Sequence, residues 1–376
     1  MNRPSSTEIF FDLLRHAIGA SQEFSHTPSV KEWNEIFEIA AKHTLSGITY
    51  SGIEKLPKEQ HPPKDLYIKW HICALQIKKI NEQSNIVASK ISNKFRDVGF
   101  RNSIIKGQGI ALLYPQPQYR QAGDIDIWLE GDRDHIVRYL QKIATPNEPV
   151  CYHHTDFPIN PDISIEVHFM PSWMNNPFTN RKLQKFFDEC SHREFENKTN
   201  LDSSGNAAYV STLEFNRIFI LLHIYRHIFA EGIGLRQLLD YYMVLNRGFT
   251  QEEKEETTRT IRQLNMFGFA RAVMYVLWKV FDLKKEFMIV PPDANQGEFL
   301  LKEIMKSGNF GKFGDYYTKM TSDNMVTRVM SKLQHTMRLF KFHPAETLYT
   351  PLFKTWHYFW RKYKNKYYKS NKFIMS

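Results

Sequence analysis

Long apolar runs are missing from this sequence. The longest are only a few residues, such as Ile218-Phe219-Ile220-Leu221-Leu222, whereas a helical membrane span needs roughly 20. An integral membrane protein is therefore not expected. Cysteine is scarce as well: Cys73, Cys151 and Cys190 are odd in number, widely spaced and free of any CxxC pair. That excludes a disulfide framework and reads as reduced, mostly buried thiols of a cytoplasmic protein. The N-terminal segment lacks an apolar core, because Glu8 and Asp12 stand where a signal peptide would need one, so secretion is not expected. Acids are absent from residues 347–376, which carry Lys354, Arg361, Lys362, Lys364, Lys366, Lys369 and Lys372. Those cations supply most of the formal charge of +10, so the basic character is mainly a tail property.

What is present is an ordinary globular balance. Apolar residues make up 42% and charged residues 24% of 376 residues, which excludes wholesale disorder and predicts two or three structural units. The 14% aromatic content points to cores or stacking surfaces.

Residues 1–99 read as helical. IFFDLLRHAI and VKEWNEIFEIAAKHTL place apolar residues at helical spacing, and Asp65 to Arg96 runs on without Gly or Pro. KLPKEQHPPK between them reads as a loop. The pattern changes over residues 100–210. RNSIIKG reads as a strand entering a turn, GIALLY as a short helix, DIDIWL as a second strand and DRDHIVRYLQKIA as a helix. EPVCYHH is expected as a third strand and ISIEVHF as a fourth, giving a small α/β unit. Helical periodicity returns over residues 211–346, including MVTRVMSKLQHTMRLF near its end, and residues 347–376 form a basic aromatic tail. The expected class is α+β, a small mixed-sheet core flanked by N-terminal and C-terminal helical regions.

The alternation of side chains along a strand places Asp124 and Asp126 on one face and Ile125 and Ile127 on the other. In ISIEVHF it separates Ile163, Ile165, Val167 and Phe169 from Ser164, Glu166 and His168. If the two strands are neighbours, three carboxylates converge, which is unfavourable unless a cation neutralises them; hard divalent ions prefer such oxygens. Such a site suits in-line displacement at phosphorus. Lys106 and Arg120 are the natural cations for phosphates, with plain surface charge as the other reading. Backbone N–H groups at Gly107 and Gln108 are candidates to hold a phosphate.

Lys106-Gly107, Arg120-x-x-Gly-Asp124-x-Asp126 and Glu166-Val-His168 together resemble the uncharacterised bacterial nucleotidyltransferases of the DNA polymerase β superfamily. That pattern is a glycine turn after the first strand, a DxD on the second and a third acid on a later strand. The resemblance covers roughly residues 100–170, with a looser likeness through HIYRH and GLRQLLDY. It implies Mg²⁺-dependent transfer (or Mn²⁺-dependent, which the residues do not distinguish) of a nucleotide from an NTP to an acceptor hydroxyl. Asp124 and Asp126 would bind metal, and Glu166 would complete the site beside the acceptor. This chain has Gln108 where Gly or Ser is usual, and Glu166 where Asp is commoner.

Other features have competing readings. His223 and His227, four apart on an apolar helix, have zinc-binding spacing, but no HExxH glutamate or third ligand accompanies them, and satisfied, half-buried histidines facing the α/β unit are the favoured reading. Arg236 and Asp240 can form a helix pair, while the family likeness places Arg236 or His227 at the nucleotide cleft. GNFGKFGDYY (308–317) lacks P-loop spacing and reads as a turn. The tail could stack on RNA, lie on an anionic membrane surface, or cover the C-terminal bundle with its aromatics. A DxD glycosyltransferase is a rival, weakened by the missing βαβ region upstream; a non-catalytic binding adaptor on the same fold is another. The acceptor (RNA, protein, antibiotic or sugar alcohol) and the identity of the NTP, ATP or another, stay open.

Overall fold

The computed structural model describes residues 4–230, 232–309, 337, 340 and 344–370. Four helices open the chain. Helix α1 (Ser6–Ile18) and helix α2 (Val30–Lys42) each start in a capping box, Ser5 with Glu8 and Ser29 with Glu32, so two orphan N–H groups are satisfied locally. Helix α3 (Ser46–Ile53) is buried along its whole length. Helix α4 (Lys64–Asp97) spans 34 residues, about 50 Å at 1.5 Å per residue.

The mixed sheet follows. Strand β1 (Asn102–Ile105) runs into helix α5 (Gly107–Ala111), and strand β2 (Ile125–Leu129) into helix α6 (Arg133–Ile143). Strands β3 (His154–Asp156) and β4 (Ile165–His168) complete the order β1-β2-β4-β3. Strand β2 is antiparallel to β1 and parallel to β4, and β3 is antiparallel to β4. The third strand lies later than expected. EPVCYHH contributes only its last residue, because the pairing with β4 begins at His154 opposite His168. Helix α7 (Pro177–Glu194) and a hairpin of β5 (Lys198–Asn200) and β6 (Ala207–Tyr209) close this part of the chain.

Helices α8 (Leu213–Ala230), α9 (Leu235–Leu245), α10 (Gln251–Gln263), α11 (Phe267–Phe281) and α12 (Ala294–Ser307) follow. The chain is α+β. Two apolar cores organise it. One joins Phe10, Leu14, Trp33 and Trp70 from the opening helices to Leu222, Leu239, Val273 and Leu300 from the later ones. The first and last helical regions thus share a single interior. The other core lies under the sheet, where Ile125, Ile127 and Val167 meet Ile91 and Phe95 of α4 and Ile136 and Leu140 of α6. Helix α4 belongs to both, burying Trp70 and Ala74 in the first and Ala88 and Phe95 in the second. No described helix is long and apolar enough to cross a membrane.

Helix α13 (Pro344–Ser370) returns across the α/β unit. Glu346 accepts from the backbone N–H groups of Asn175 and Asn176, and Asn365 accepts from Val150 N–H at 3.0 Å. Lys364 reaches Asp134 at 2.7 Å, and the Tyr368 hydroxyl donates to the same carboxylate at 2.6 Å. The aromatics of the tail therefore cover the sheet unit rather than the C-terminal bundle, with Trp356 and Trp360 edge-on to Tyr152. Of GNFGKFGDYY only Gly308 and Asn309 are described, and MVTRVMSKLQHTMRLF lies outside the described residues except for Met337 and Phe340.

Candidate active site

Pairing of β2 with β4 sets Asp126 directly opposite Glu166 and Trp128 opposite His168. Alternation does the rest. Ile125, Ile127, Ile165 and Val167 enter the core beneath the sheet, so Asp126, Glu166 and His168 share the other face. His168 Nε2 lies 2.9 Å from Asp126 Oδ1 and 3.5 Å from Glu166 Oε2. A ring nitrogen facing two carboxylate oxygens must carry the proton. Burial pulls the His168 pKa down, but the bonds to Asp126 and Glu166 outweigh it and leave it raised.

The turn after β1 supplies a cation. Lys106 Nζ is 3.0 Å from Asp126 Oδ2. Burial would raise the Asp126 carboxyl, yet Lys106 and His168 together hold it well below the usual carboxylate range. Glu166 is likewise lowered, its burial overcome chiefly by the hydrogen bond from His168. Asp124 goes the other way. Burial and the neighbouring charges of Asp126 and Glu166 push its carboxyl up, and Lys106 and Arg236 only partly offset this. Asp124 is thus the carboxylate of the cluster least served by its cations.

Lys106 stands at φ 67°, ψ −148°, and Gly107 at φ 47°. Left-handed backbone is easy for Gly107 but costs a lysine of order 1–3 kcal/mol, a strain found where function fixes the chain. Gln108 is buried in α5, and its Oε1 has no partner among the described residues. A Cβ on Gly107 would lie 3.8 Å from Asp124 O, which puts the turn against the start of β2.

The two arginines separate. Arg236, at the start of α9, donates from Nη1 to Gln121 O at 2.7 Å and borders Gly123. It is buried, and its charge acts on Asp124. Arg120 is set back. Its Nε and Nη2 grip Asp240 at 2.7 and 2.8 Å, and the Tyr114 hydroxyl donates to Asp240 Oδ1 at 2.7 Å. Asp240 therefore pairs with Arg120 across the structure, and the expected i, i+4 pair with Arg236 does not form. Arg120, which the sequence offered as a phosphate ligand, is tied to Asp240 through Nε and Nη2, while its Nη1 is buried without a partner among the described residues.

His223 and His227 are half-buried with ring centroids 4.3 Å apart. Burial and the charge of Lys106 hold His223 well below its ordinary pKa, so that ring faces the Lys106 side of the α/β unit as a neutral imidazole.

Sequence reasoning missed a second group of rings. His154 Nδ1 lies 2.8 Å from His153 Nε2 and 3.5 Å from Glu166 Oε2. Trp173 packs on His153 at 4.0 Å, and the Arg226 guanidinium lies over Trp173 at 3.1 Å. The adjacent histidines were visible in EPVCYHH, but only the shift of β3 showed that His154 faces β4. Nothing in the sequence singles out Trp173.

The donor set fits a divalent ion. Asp126, Glu166 and His168 each offer one ligand atom within 4.8 Å of the others, and Asp124 adds a third carboxylate beside them, only partly offset by Lys106 and Arg236. Carboxylate oxygens suit Mg²⁺ or Mn²⁺.

A solved structure of an antigenic nucleotidyltransferase-like protein from Paracoccidioides brasiliensis is similar to this chain at 14% identity and a TM-score of 0.36, over 58% of this chain and 97% of that one. No curated protein matches the chain. The model of a family described as uncharacterised nucleotidyltransferases matches residues 29–282, which include every carboxylate and cation of the site, and the chain belongs to that family.

Proposed function

We propose that the protein moves a nucleoside monophosphate from an NTP to an acceptor hydroxyl, with Mg²⁺ or Mn²⁺ held by Asp124, Asp126 and Glu166. The observation that carries this reading is the register of Asp126 against Glu166 on parallel strands, with Lys106 3.0 Å from Asp126 at a strained glycine turn. A divalent ion bound there supplies charge stabilisation at the α-phosphate and lowers the pKa of the acceptor hydroxyl.

The remaining work falls to the chain. Lys106 and Arg236 place positive charge on the nucleotide side, where phosphate oxygens gain charge during displacement. The Lys106-Gly107-Gln108 turn brings backbone close to the phosphates, which a Cβ at residue 107 would hinder. Glu166, whose side chain is 28% exposed against 10% for Asp126, borders the acceptor. Arg120 acts through Asp240 and Tyr114 by fixing the loop that leads into Asp124. The outer face of α13 exposes Lys362, Lys366 and Lys369 with Phe359 and Tyr363, the surface on which an RNA acceptor or an anionic membrane would be met.

The test is calorimetric titration of each NTP with and without Mg²⁺, in the wild type and in Asp124→Asn/Asp126→Asn. Metal-dependent binding that the double variant loses supports the reading and identifies the donor. Absence of nucleotide binding by the folded wild type overturns it. A second reading, a non-catalytic nucleotide- or RNA-binding adaptor, draws on Lys106 and His168 already occupying both oxygens of Asp126. Nucleotide binding without metal dependence would favour it.

A further inference from the structure

Beside the carboxylates lies a set of nitrogen donors that nucleotide transfer does not use. His153 Nε2, His154 Nδ1 and His168 Nε2 converge from the β3 and β4 strands, and Glu166 Oε2 lies 3.5 Å from the latter two. Among the described residues, His153, His154 and His168 form one of two groups whose ligand atoms all fall within 4.8 Å of one another. We propose that His153, His154 and His168, with Glu166 as oxygen ligand, bind a borderline divalent transition ion of the zinc and cobalt class, at a site adjacent to the Asp124/Asp126 carboxylates, the ion displacing to solvent the proton that His168 Nε2 otherwise carries.

Three observations support this. First, the spacing suits a common ion. Two nitrogens each about 2.0–2.1 Å from a tetrahedral metal lie roughly 3.3 Å apart, so the His153 and His154 nitrogens, hydrogen-bonded at 2.8 Å, would part by only about 0.5 Å to share an ion. Second, the rings are held in place before any ion arrives. His153 is packed on Trp173, which Arg226 covers from its face, while His154 and His168 occupy paired positions on neighbouring strands. Third, the cluster is poor as a purely structural element. Among the described residues His153 Nδ1 and His168 Nδ1 are buried without partners, and the His154 and His168 imidazoles crowd one carboxylate oxygen. Apolar side chains would fill that volume without leaving polar atoms unpaired.

The donor type decides the class of ion. Imidazole nitrogen favours zinc, cobalt and nickel over Mg²⁺, which takes oxygen ligands. The site would therefore stay loaded in an excess of Mg²⁺.

The experiment is equilibrium dialysis of tag-free protein against Co²⁺ in a large excess of Mg²⁺, with metal content and the visible absorption of bound Co²⁺ as readouts. We expect one Co²⁺ per chain, retained in Asp124→Asn and weakened at least about tenfold in His153→Gln/His154→Gln. Displacement by Mg²⁺, or unchanged binding in the double histidine variant, would overturn the proposal. Should that variant not fold, X-ray absorption of the Co²⁺-loaded wild type decides. Two or three imidazole ligands support the site, and one or none overturns it. Because Asp124→Asn removes a proposed nucleotide-site ligand and leaves the imidazoles intact, failure of the transfer reading and failure of this one are separable.

Discussion

Lys106 and Asp126 are joined by a 3.0 Å ion pair, while the Lys106 backbone occupies a region of conformation that favours glycine. The lysine is thus held by its side chain in a place its backbone disfavours. Replacing it separates the two effects. Lys106→Ala and Lys106→Gly both lose the charge, but only glycine relieves the backbone, so the glycine variant should be more stable by about 1 kcal/mol. Urea unfolding of the pair measures this. Both should bind nucleotide more weakly than the wild type, since each lacks the cation.

Arg120, Asp240 and Tyr114 form a buried polar unit in which each partner leaves the others unsatisfied when removed. Burial would raise the Asp240 carboxyl, and Arg120 more than offsets it, holding it low. Asp240→Ala should cost about 3–5 kcal/mol, because an arginine charge would remain buried alone. Tyr114→Phe should cost only about 1 kcal/mol, the usual value of one hydrogen bond. Comparable losses in the two variants on chemical denaturation would contradict the pairing described.

Gly47 in α3 touches the loop that carries Arg120. A Cβ there would stand 2.2 Å from Tyr119 O, a backbone atom that cannot swing aside. Gly47→Ala should destabilise the protein by roughly 1–3 kcal/mol through overpacking. It should also weaken nucleotide binding, because the displaced segment precedes Arg120 and Asp124. A variant as stable and as competent as the wild type would show that this contact is slack.

Neighbouring imidazoles should respond to pH in opposite senses. Burial, with the charges of His168 and Lys106, holds His154 down to about 4, whereas the carboxylates raise His168 despite its burial. The folded pKa of His154 lies below its unfolded value near 6.5, so its contribution to stability is full above 6.5 and is lost as pH falls towards about 4. For His168 the folded value is the higher, so its contribution is full below 6.5 and is lost as pH rises above it. Nuclear magnetic resonance titration at pH 6.5 should find His168 protonated and His154 neutral. Two rings titrating together near 6.5 would sink this assignment.

The last helix is anchored by Tyr368, which is buried in the core beneath the sheet and bonded to Asp134. Tyr368→Ala should cost about 3 kcal/mol, as for other large side chains removed from a core. Tyr368→Phe should cost about 1 kcal/mol, from the lost hydrogen bond. Thermal or denaturant unfolding of the full chain reads both values.

Much of the fold was legible because its signals are local. Apolar spacing marked α1 and α2, and alternation marked β2 and β4 together with the face carrying Asp126 and Glu166. Helix α3 was not legible. It is buried on every side, so its sequence, SGITYSGI, carries no amphipathic period. The hairpin β5–β6 was missed because its strands are three residues each. The third strand was placed too early because nothing in EPVCYHH shows where pairing with β4 begins.

By itself the sequence determined which carboxylates share a face, that a glycine follows Lys106, and that helices flank a small sheet. Periodicity is a property of neighbours along the chain, and it is present before folding. Only the tertiary structure decided that Asp240 takes Arg120 and leaves Arg236 beside Asp124, that His153 and His154 meet Glu166, and that the basic tail lies over the sheet unit. Those choices depend on contacts between residues up to 230 or more positions apart, which packing selects and local pattern cannot encode.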